Sequence, residues 1–421
     1  MIRAAALLLA FVLLGLPIAA SAETAPPDQS TAQQAPAQQA TSPILDEVWR
    51  LVDERFYDPR FGGRDWAAIG VAYRERTRGI APDELPALVN RMLGELGASH
   101  TAYLTADQVA YYDLADIFAG VLRRELPRVF PEGEVSYVGI GAVTRKLDGR
   151  VFVYGLPAGL PAARSGLKTG DEIVAADGGA FEPVKSFLGK AGQAVTLTIR
   201  RAAAGPTETL TVTPERIKPD EAYLTAIKES ARIVPADGRR IGYIRMWSYA
   251  GREYQHALEE AITSGPLKDA DALIWDLRGG WGGAQPSYLD LFDPRGVAMI
   301  VTGRSGKPEA VNARWRRPAV LLIDGGTRSG KEILAYGFKK YGFGPVVGTR
   351  SKGDVLAARA FMLSDGSLLE LAVDDVRVDG ERLEGVGVAP TVEVPFALEY
   401  SAGADPQLDR AVAIAAASVH G

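Results

Sequence analysis

The chain has 421 residues, a formal net charge of −5 and no cysteine. The missing cysteine excludes disulfides, thiol catalysis and lipoprotein acylation. Basic and acidic residues are mixed along the chain without a basic patch, so we expect no nucleic-acid partner.

Residues 1–22 are typical of a secretory signal. Arg3 precedes a short apolar stretch, and the small residues "ASA" stand before Glu23 as a cleavage site. The apolar stretch is short for a membrane span, and an uncleaved N-terminal anchor is the alternative. We therefore expect an exported protein, periplasmic or secreted, with no stable membrane span once the signal is removed.

Residues 23–43 are rich in Pro, Gln, Ala, Ser and Thr without apolar periodicity, which is typical of a disordered linker. Residues 44–129 are predicted to form a helical N-terminal domain. Within them, "ILDEVWRLVDERFY" and "ELPALVNRMLGEL" carry apolar residues at helical spacing. The second helix leads into a loop that contains Ser99 and His100.

Residues 130–217 change to strands and glycine turns, with a hairpin at Asp148-Gly149 and a short helix at 161–165. The stretch "GLPAARSGLKTGDEIVAADG" resembles PDZ domains of bacterial proteases. The resemblance places the loop "VGIG" where those domains hold a peptide's terminal carboxylate on backbone N–H groups, while the peptide adds a strand to the sheet. That loop consists of Val138, Gly139, Ile140 and Gly141. A small β-domain without a ligand is the alternative.

Residues 218–421 are predicted to form an α/β core with a mostly parallel sheet and a closing C-terminal helix. Strand-like and helical segments alternate from residue 240 onward. Glycine-rich turns at 278–283 and 324–330 follow apolar strands. Because sites in such sheets form at the carboxyl ends of strands, both turns are candidates for a functional site.

The second turn also resembles part of a nucleotide site. Residues 325–332 are one residue short of the phosphate-binding pattern G-x-x-x-x-G-K-[ST], with Glu332 in place of the Mg²⁺-binding hydroxyl. Its carboxylate would repel phosphates, and ATP is scarce outside the cytoplasm. We therefore expect no nucleotide, metal or other cofactor. The alternative is a nucleophile, since Ser329 starts a helix whose N–H groups can hold an oxyanion.

A serine nucleophile needs a base to take its proton. The chain has three histidines. His256 lies in a helical segment and His420 in the C-terminal tail, whereas His100 stands in a loop that a helix positions. The motif G-x-S-x-G of α/β-hydrolases is absent around Ser329, which argues against that family.

In their order, the helical segment, the PDZ-like region, "ALIWDLRGGWGG", "LLIDGGTRSGKEILAYGF" and "LEGVGVAP" resemble the C-terminal processing peptidases and their tricorn-core relatives. The resemblance covers about residues 44–412. It implies a multidomain α+β protein with a helical N-terminal segment, a PDZ-like β-domain and an α/β catalytic core of the ClpP/crotonase-like type. It also implies a serine endopeptidase whose partners are proteins or peptides, bound in part through their C-termini.

The resemblance assigns roles to residues around the two glycine turns. Ser329 matches the nucleophile, and the N–H of Gly330 matches one oxyanion donor. Gly282 and Gly283 match the loop that supplies the other donor. Glu332 matches an acidic residue of the nucleophile's helix, with an expected role in stabilising the helix N-terminus.

Two types of base occur among the relatives. The Ser–Lys type carries a lysine 25 residues after the nucleophile, where this chain has Asp354, with Lys352 two residues earlier. The tricorn type uses a Ser–His pair and a distant glutamate. Ser99, His100 and Glu384 match these positions, with Glu381 as second choice for the glutamate.

Three hypotheses therefore remain open: a Ser–His peptidase with His100 as base, a Ser–Lys peptidase that uses Lys352, and an inactive scaffold that only binds peptides. A histidine with an unperturbed pKa near ~6.5 predicts activity that rises through roughly pH 6–7.5. Arg328 and Lys331 are expected to make the site positive and to favour acidic or carboxylate-ended substrates.

Overall fold

The structure, a computed structural model, describes residues 42–297, 299–306, 308–310 and 313–419. The predicted signal, almost all of the predicted linker, and His420 lie outside these residues. The first helix begins at Pro43, one residue inside the predicted linker. Within the described residues, no helix has both the length and the apolar character that crossing a bilayer requires.

The N-terminal region is mostly helical. Its elements are α1 (Pro43–Arg55), α2 (Trp66–Arg76), α3 (Leu85–Gly94), β1 (Ala102–Leu104), α4 (Val109–Ile117), α5 (Ala119–Leu122) and α6 (Leu126–Val129). The apolar faces predicted for the first and third helices are buried, since Val48, Val52, Leu88 and Met92 are at most 1% exposed. The side chain of Asp65 accepts a hydrogen bond from the N–H of Ala68 and caps α2.

Residues 130–217, called the β-domain below, contain eight strands and one short helix. These are β2 (Tyr137–Gly139), β3 (Val143–Leu147), β4 (Arg150–Gly155), α7 (Pro161–Arg164), β5 (Glu172–Ala176), β6 (Gly179–Ala180), β7 (Val195–Arg200), β8 (Thr207–Val212) and β9 (Glu215–Ile217). The main sheet has the order β3-β4-β5-β7-β8, with β6 on β5, and β2 pairs with β9. The predicted hairpin joins β3 to β4, with positive φ at Asp148 and Gly149, as a tight two-residue turn requires.

The remaining elements complete the α/β region. They are α8 (Pro219–Ser230), β10 (Arg232–Ala236), β11 (Arg239–Arg245), α9 (Arg252–Thr263), β12 (Ala272–Asp276), β13 (Ile300–Thr302), β14 (Pro308–Ala310), β15 (Ala319–Ile323), α10 (Gly330–Lys340), β16 (Val346–Gly348), β17 (Ala357–Met362), β18 (Leu368–Asp374), β19 (Val392–Glu393) and α11 (Pro406–Ser418). The segment "PSYLDLF" forms 3₁₀ turns at Pro286–Leu291 rather than an α-helix.

The core sheet has the order β10-β11-β12-β15-β16-β19. Only the edge pair β10–β11 is antiparallel, so the predicted mostly parallel sheet is present. Both faces are covered, because Trp275 and Leu321 pack on the side of α10 while Ile274 and Val320 pack on the side of α11. This explains why β12 and β15 are continuous apolar runs rather than alternating ones.

Strands β12 and β15 are parallel neighbours, and each is followed by a glycine-rich turn. The turns at 278–283 and 324–330 therefore lie side by side at one edge of the sheet.

One part of the predicted domain layout differs in the structure. Strands β17 and β18, assigned to the core at 218–421, pair with β1 of the N-terminal region in a separate sheet of order β1-β18-β17. Leu369 and Leu371 of β18 share a hydrophobic core with α1 and α3. Because the N-terminal region is packed in this way, the loop between α3 and β1, which carries Ser99 and His100, is held against the α/β region.

Candidate active site

Ser329 lies between β15 and α10 with φ 57° and ψ −133°, a conformation that is strained for a residue with a side chain. Its N–H donates to the carbonyl of Asp354 at 2.7 Å and to Oε2 of Glu332 at 3.2 Å. The strained turn is therefore held by a neighbouring segment and by the helix that follows, and it presents the hydroxyl at the sheet edge.

Glu332 forms hydrogen bonds to residues outside its own helix as well as at the helix N-terminus. Its carboxylate is buried and accepts hydrogen bonds from the hydroxyl of Ser351 at 2.5 Å and from the N–H groups of Gly353 at 2.7 Å and Asp354 at 2.9 Å. Burial raises the pKa of Glu332, and these bonds oppose that rise. Glu332 thus joins the Ser329 turn to segment 351–354.

The predicted oxyanion residues surround Ser329. A Cβ atom built at Gly282 would lie 2.8 Å from Oγ of Ser329 and 2.9 Å from the nitrogen of Gly330. One built at Gly330 would lie 3.0 Å from the nitrogen of Gly283. Any side chain at these positions would fill the space beside the hydroxyl. Glycine keeps that space open, with the backbone nitrogens of Gly330 and Gly283 at its border.

His100 stands at the end of a hydrogen-bonded series. Oγ of Ser99 lies 3.0 Å from Nδ1 of His100 and donates its proton to Oε2 of Glu384 at 2.9 Å. A hydroxyl has one proton, so Ser99 must accept at His100, which places the imidazole proton on Nδ1. Nε2 then carries the free lone pair that a general base needs. His100 has φ 49°, a second strained position at this site.

Glu384 is held from two directions. Its carboxylate accepts from the N–H of Ser99 at 3.0 Å, and from the N–H groups of Val355 at 2.7 Å and Leu356 at 3.2 Å. Glu381, the second choice, is exposed and its backbone pairs with Val378. The structure therefore brings Glu384, and not Glu381, to the Ser99–His100 pair.

The two halves of the site meet through one stretch of backbone. The carbonyl of Asp354 accepts the N–H of Ser329, and the N–H of the next residue, Val355, donates to Glu384.

Burial and then the charge of Arg328 lower the pKa of His100 to about 4, although Asp354 and Glu384 act in the opposite direction. The imidazole is therefore neutral at neutral pH, and the expectation of an unperturbed pKa near ~6.5 is wrong.

The two lysines near the turn differ sharply. Lys352 has a half-exposed side chain and forms an ion pair with Asp354. Lys331 is fully buried, and its ammonium donates to the carbonyls of Met246 at 2.5 Å and Gly279 at 2.7 Å. Burial lowers the pKa of Lys331 to about 7. The expectation that Lys331 presents positive charge to a substrate is wrong, because its nitrogen faces the protein interior.

The four residues of loop 138–141, predicted to bind a peptide's terminal carboxylate, lie in different surroundings. Val138 and Gly139 belong to β2, and Gly141 lines a cleft next to the core. The side chain of Ile140 is 2% exposed and packs in the β-domain core. The side chain of Ile140 therefore contributes to that core rather than to the surface of the loop.

A cleft of about 630 Å³ lies between the β-domain, α4 and the glycine turns. Its walls include residues 141–145 of the β-domain, Asp113 of α4, residues 279–281 and Arg328. The cleft reaches the residue directly before Ser329, so a chain lying in it would approach the hydroxyl.

Sequence reasoning missed the contact that holds the β-domain to the glycine turns. The hydroxyl of Tyr154 donates to Asp324, and Arg145 lies 3.7 Å from the same carboxylate and stacks on the Tyr154 ring. Asp324 also accepts from the N–H groups of Gly279 at 3.1 Å and Gly326 at 2.9 Å. No local pattern marks this set, since its members come together only in the folded chain.

Comparison with known proteins finds matches to two peptidase family models and to several named proteases. Residues 240–394 match peptidase family S41, and residues 39–94 match the tricorn protease C1 domain. The chain is 29% identical over 396 residues to the putative tricorn protease homolog 2 of Streptomyces coelicolor. The alignment covers 88% of this chain and 32% of that protein. It therefore spans about a third of that relative's length.

Two shorter relatives are named as processing proteases. The chain is 30% identical over 298 residues to the carboxy-terminal processing protease CtpA of Bacillus subtilis, with 66% of this chain and 61% of that protein covered. It is 26% identical over 390 residues to the carboxyl-terminal-processing protease of Synechocystis, with 88% and 85% covered.

Solved structures share the fold. The photosystem II D1 C-terminal processing protease superposes with a TM-score of 0.50 at 22% identity, covering 86% of this chain and 97% of that one. The tricorn protease gives a TM-score of 0.51 at 20% identity, covering 88% and 36%. By the family match, residues 240–394, which contain Ser329 and both glycine-rich turns, form a domain of peptidase family S41.

Proposed function

We propose that this chain is an exported serine endopeptidase that cleaves proteins or peptides through an acyl-enzyme on Ser329, with His100 as general base. The observation that carries the proposal is the series Glu384–Ser99–His100, which leaves Nε2 of His100 as an acceptor. This arrangement supplies what a serine hydroxyl lacks by itself.

The chemistry follows from the positions of the protons. Nε2 of His100 takes the proton of Ser329 while Oγ attacks the substrate carbonyl. The negative charge on the carbonyl oxygen is held by the N–H of Gly330 and by an N–H of the Gly282–Gly283 pair. The imidazolium then gives its proton to the leaving amine, and water repeats the sequence on the acyl-enzyme.

Ser99 and Glu384 act through His100. The Ser99 hydroxyl fixes the Nδ1–H tautomer, and the Glu384 charge stabilises the imidazolium across that hydroxyl. This help matters because burial disfavours a charged His100. The Glu384 carboxylate therefore stabilises the site most when His100 is protonated, and the protonated imidazole is the form that resembles the transition state.

The Ser–Lys alternative is less well supported. Lys352 is half exposed, and its amine is occupied by an ion pair with Asp354. Lys331 has a lowered pKa, but its nitrogen is occupied by the carbonyls of Met246 and Gly279. His100 is the remaining candidate with a free lone pair.

The β-domain supports a role in substrate delivery. Strand β3 is at the edge of its sheet, and residues 142–145 line the cleft that leads to Ser329. An extended peptide that adds to this edge would enter the cleft, with its terminal carboxylate on the backbone of loop 138–141. This PDZ-like recognition and export through residues 1–22 are parts of the proposal.

Labelling with a fluorophosphonate probe tests the proposal directly. We expect the full-length secreted protein to be labelled at Ser329, and labelling to be lost in Ser329→Ala and strongly slowed in His100→Ala. His256→Ala is the matched control, since His256 is exposed on α9 away from the site. Labelling that is absent from the wild type, with no Ser329-dependent cleavage of an unfolded protein substrate, would favour the inactive scaffold.

A further inference from the structure

Arg328, directly before the nucleophile, is held in one orientation. Its guanidinium carbon lies 3.8 Å from the centre of the Trp281 ring, and its Nε donates to the carbonyl of Gly280 at 3.2 Å. The stack fixes the plane of the guanidinium, and the hydrogen bond fixes its rotation within that plane. The Arg328 side chain also lines the cleft.

The platform under Arg328 is itself rigid. The indole nitrogen of Trp281 donates to Asp113 at 3.0 Å, and its backbone N–H donates to the carbonyl of Trp247 at 2.8 Å. Tyr223 adds a second hydrogen bond to the same Asp113 oxygen at 3.1 Å. Trp281 is thus anchored on α4, α8 and the end of β11, so the arginine rests on a fixed surface.

The other charged groups of the cleft have partners. Asp107 lies 3.3 Å from Lys185, Arg145 lies 3.7 Å from Asp324, and Lys352 is paired with Asp354. Asp113 is bound by Trp281 and Tyr223, and burial raises its pKa to about 7, which reduces its charge near neutral pH.

Arg328 is the exception. Among the described residues, Arg328 forms no salt bridge with a carboxylate, although its charge acts on the more distant Asp113 and Glu370. The cleft therefore holds one cation without an ion-pair partner, directly before Ser329 in the chain.

We propose that Arg328 is a specificity-determining residue that binds a carboxylate of the substrate close to the scissile bond, so that the peptidase prefers acidic cleavage sites. This inference rests on the proposed peptidase function. A guanidinium presents two parallel N–H donors that match the two oxygens of a carboxylate, which a lysine cannot do. Its neighbour in the chain is Ser329, and its Nε partner Gly280 belongs to the oxyanion turn, so the bound carboxylate adjoins the reacting carbonyl.

The carboxylate can be an Asp or Glu side chain or the C-terminus of the substrate. The bound charge has a second effect, because the positive charge of Arg328 is one cause of the low pKa of His100. A carboxylate on Arg328 cancels part of that effect and strengthens the base when an acidic substrate is present.

Matched fluorogenic peptides test the inference. One series carries a single Asp, scanned across the positions that flank the bond, against Asn at the same place, all with amidated C-termini. A second series has no acidic side chain and a free or an amidated C-terminus. We expect the wild type to favour Asp over Asn at one position by about tenfold or more in kcat/KM, as a charge-assisted pair implies.

The variants assign the preference to the guanidinium. In Arg328→Gln the Asp/Asn ratio should fall to about one, in Arg328→Lys it should fall to an intermediate value, and in Arg328→Glu a Lys peptide should become preferred over Asp. Arg295→Gln is the control, since Arg295 is exposed and paired with Asp293, and should keep the wild-type ratio. A gain from the free C-terminus that Arg328→Gln removes would identify the terminal carboxylate as the source.

Two results overturn the inference: a wild-type ratio near one at every position in both series, or a preference that survives in Arg328→Gln. In either case Ser329-dependent cleavage still supports the proposed function. If no peptide is cleaved and the fluorophosphonate does not react, the proposed function fails. Binding of the same peptides to the Ser329→Ala protein, measured by fluorescence anisotropy, then decides the carboxylate preference independently.

Discussion

Oγ of Ser99 lies 2.9 Å from Oε2 of Glu384, although 285 residues separate them in the chain. The same oxygen, Oε2 of Glu384, also accepts a hydrogen bond from the N–H of Val355. The residue before Val355, Asp354, accepts a hydrogen bond from the N–H of Ser329 at its carbonyl. The carboxylate that orients the candidate base is therefore joined by backbone to the candidate nucleophile. A change at Glu384 should reach both halves of the site.

We expect Glu384→Gln to lower kcat by about tenfold to a hundredfold, less than loss of the base itself. The amide still accepts a hydrogen bond from Ser99 but brings no charge to stabilise the imidazolium. Steady-state kinetics on a protein substrate measure the loss. Glu381→Gln, at an exposed neighbour, is the control and should keep the wild-type rate; equal losses in the two variants would contradict the assignment.

The pH profile offers a second reading of the base. His100 must be deprotonated to act, and burial lowers its pKa to about 4. In the free enzyme, kcat/KM should therefore stay high through pH 6 and fall only as the pH drops through about 4. Circular dichroism over the same range separates this loss from acid unfolding. A rise in activity confined to pH values above neutrality would point to a lysine base instead.

Substitution of the two candidate bases separates the mechanisms. His100→Ala should lower kcat to nearly the level of Ser329→Ala, because residues that act as one unit lose activity together. Lys352→Ala should cost little, since it removes a half-exposed ion pair, and such pairs contribute at most about 1 kcal/mol. If Lys352→Ala abolishes cleavage while His100→Ala keeps it, the Ser–Lys mechanism replaces the one proposed.

Lys331→Met should destabilise the fold. It removes two hydrogen bonds and leaves the carbonyls of Met246 and Gly279 buried without that partner, at about 1–3 kcal/mol for each unsatisfied group. Chemical denaturation measures the change in the free energy of unfolding. Lys340→Met, at an exposed position of the same helix, is the control.

The same lysine predicts a pH dependence of stability. Its folded pKa is lowered to about 7, whereas an unfolded lysine titrates near ~10.4. Between these values the unfolded chain binds more protons, so the contribution of Lys331 to stability rises with pH over that range. The free-energy difference between wild type and Lys331→Met should grow in favour of the wild type from pH 7 to pH 10. A difference independent of pH would mean that the buried amine keeps its proton.

The sequence by itself determined many of the elements and the turn that carries Ser329. The apolar runs at β12 and β15 must be buried on both faces, and the glycines that follow permit turns that few other residues adopt. These local constraints place Ser329, Gly330 and the 278–283 turn at one sheet edge without knowledge of distant contacts. The same reasoning, with the family resemblance, named Ser99, His100 and Glu384 as candidates.

Only the tertiary structure decided how the distant parts combine. The pairing of β18 with β1, the choice of Glu384 over Glu381, and the contact of Asp324 with Tyr154 depend on residues far apart in the chain. The complete fold likewise decided the charges: burial places Lys331 inside and lowers the pKa of His100, and the packing leaves Arg328 as the cleft cation that has no ion-pair partner among the described residues. Solvation and long-range contact depend on the complete fold, and a local sequence pattern records neither.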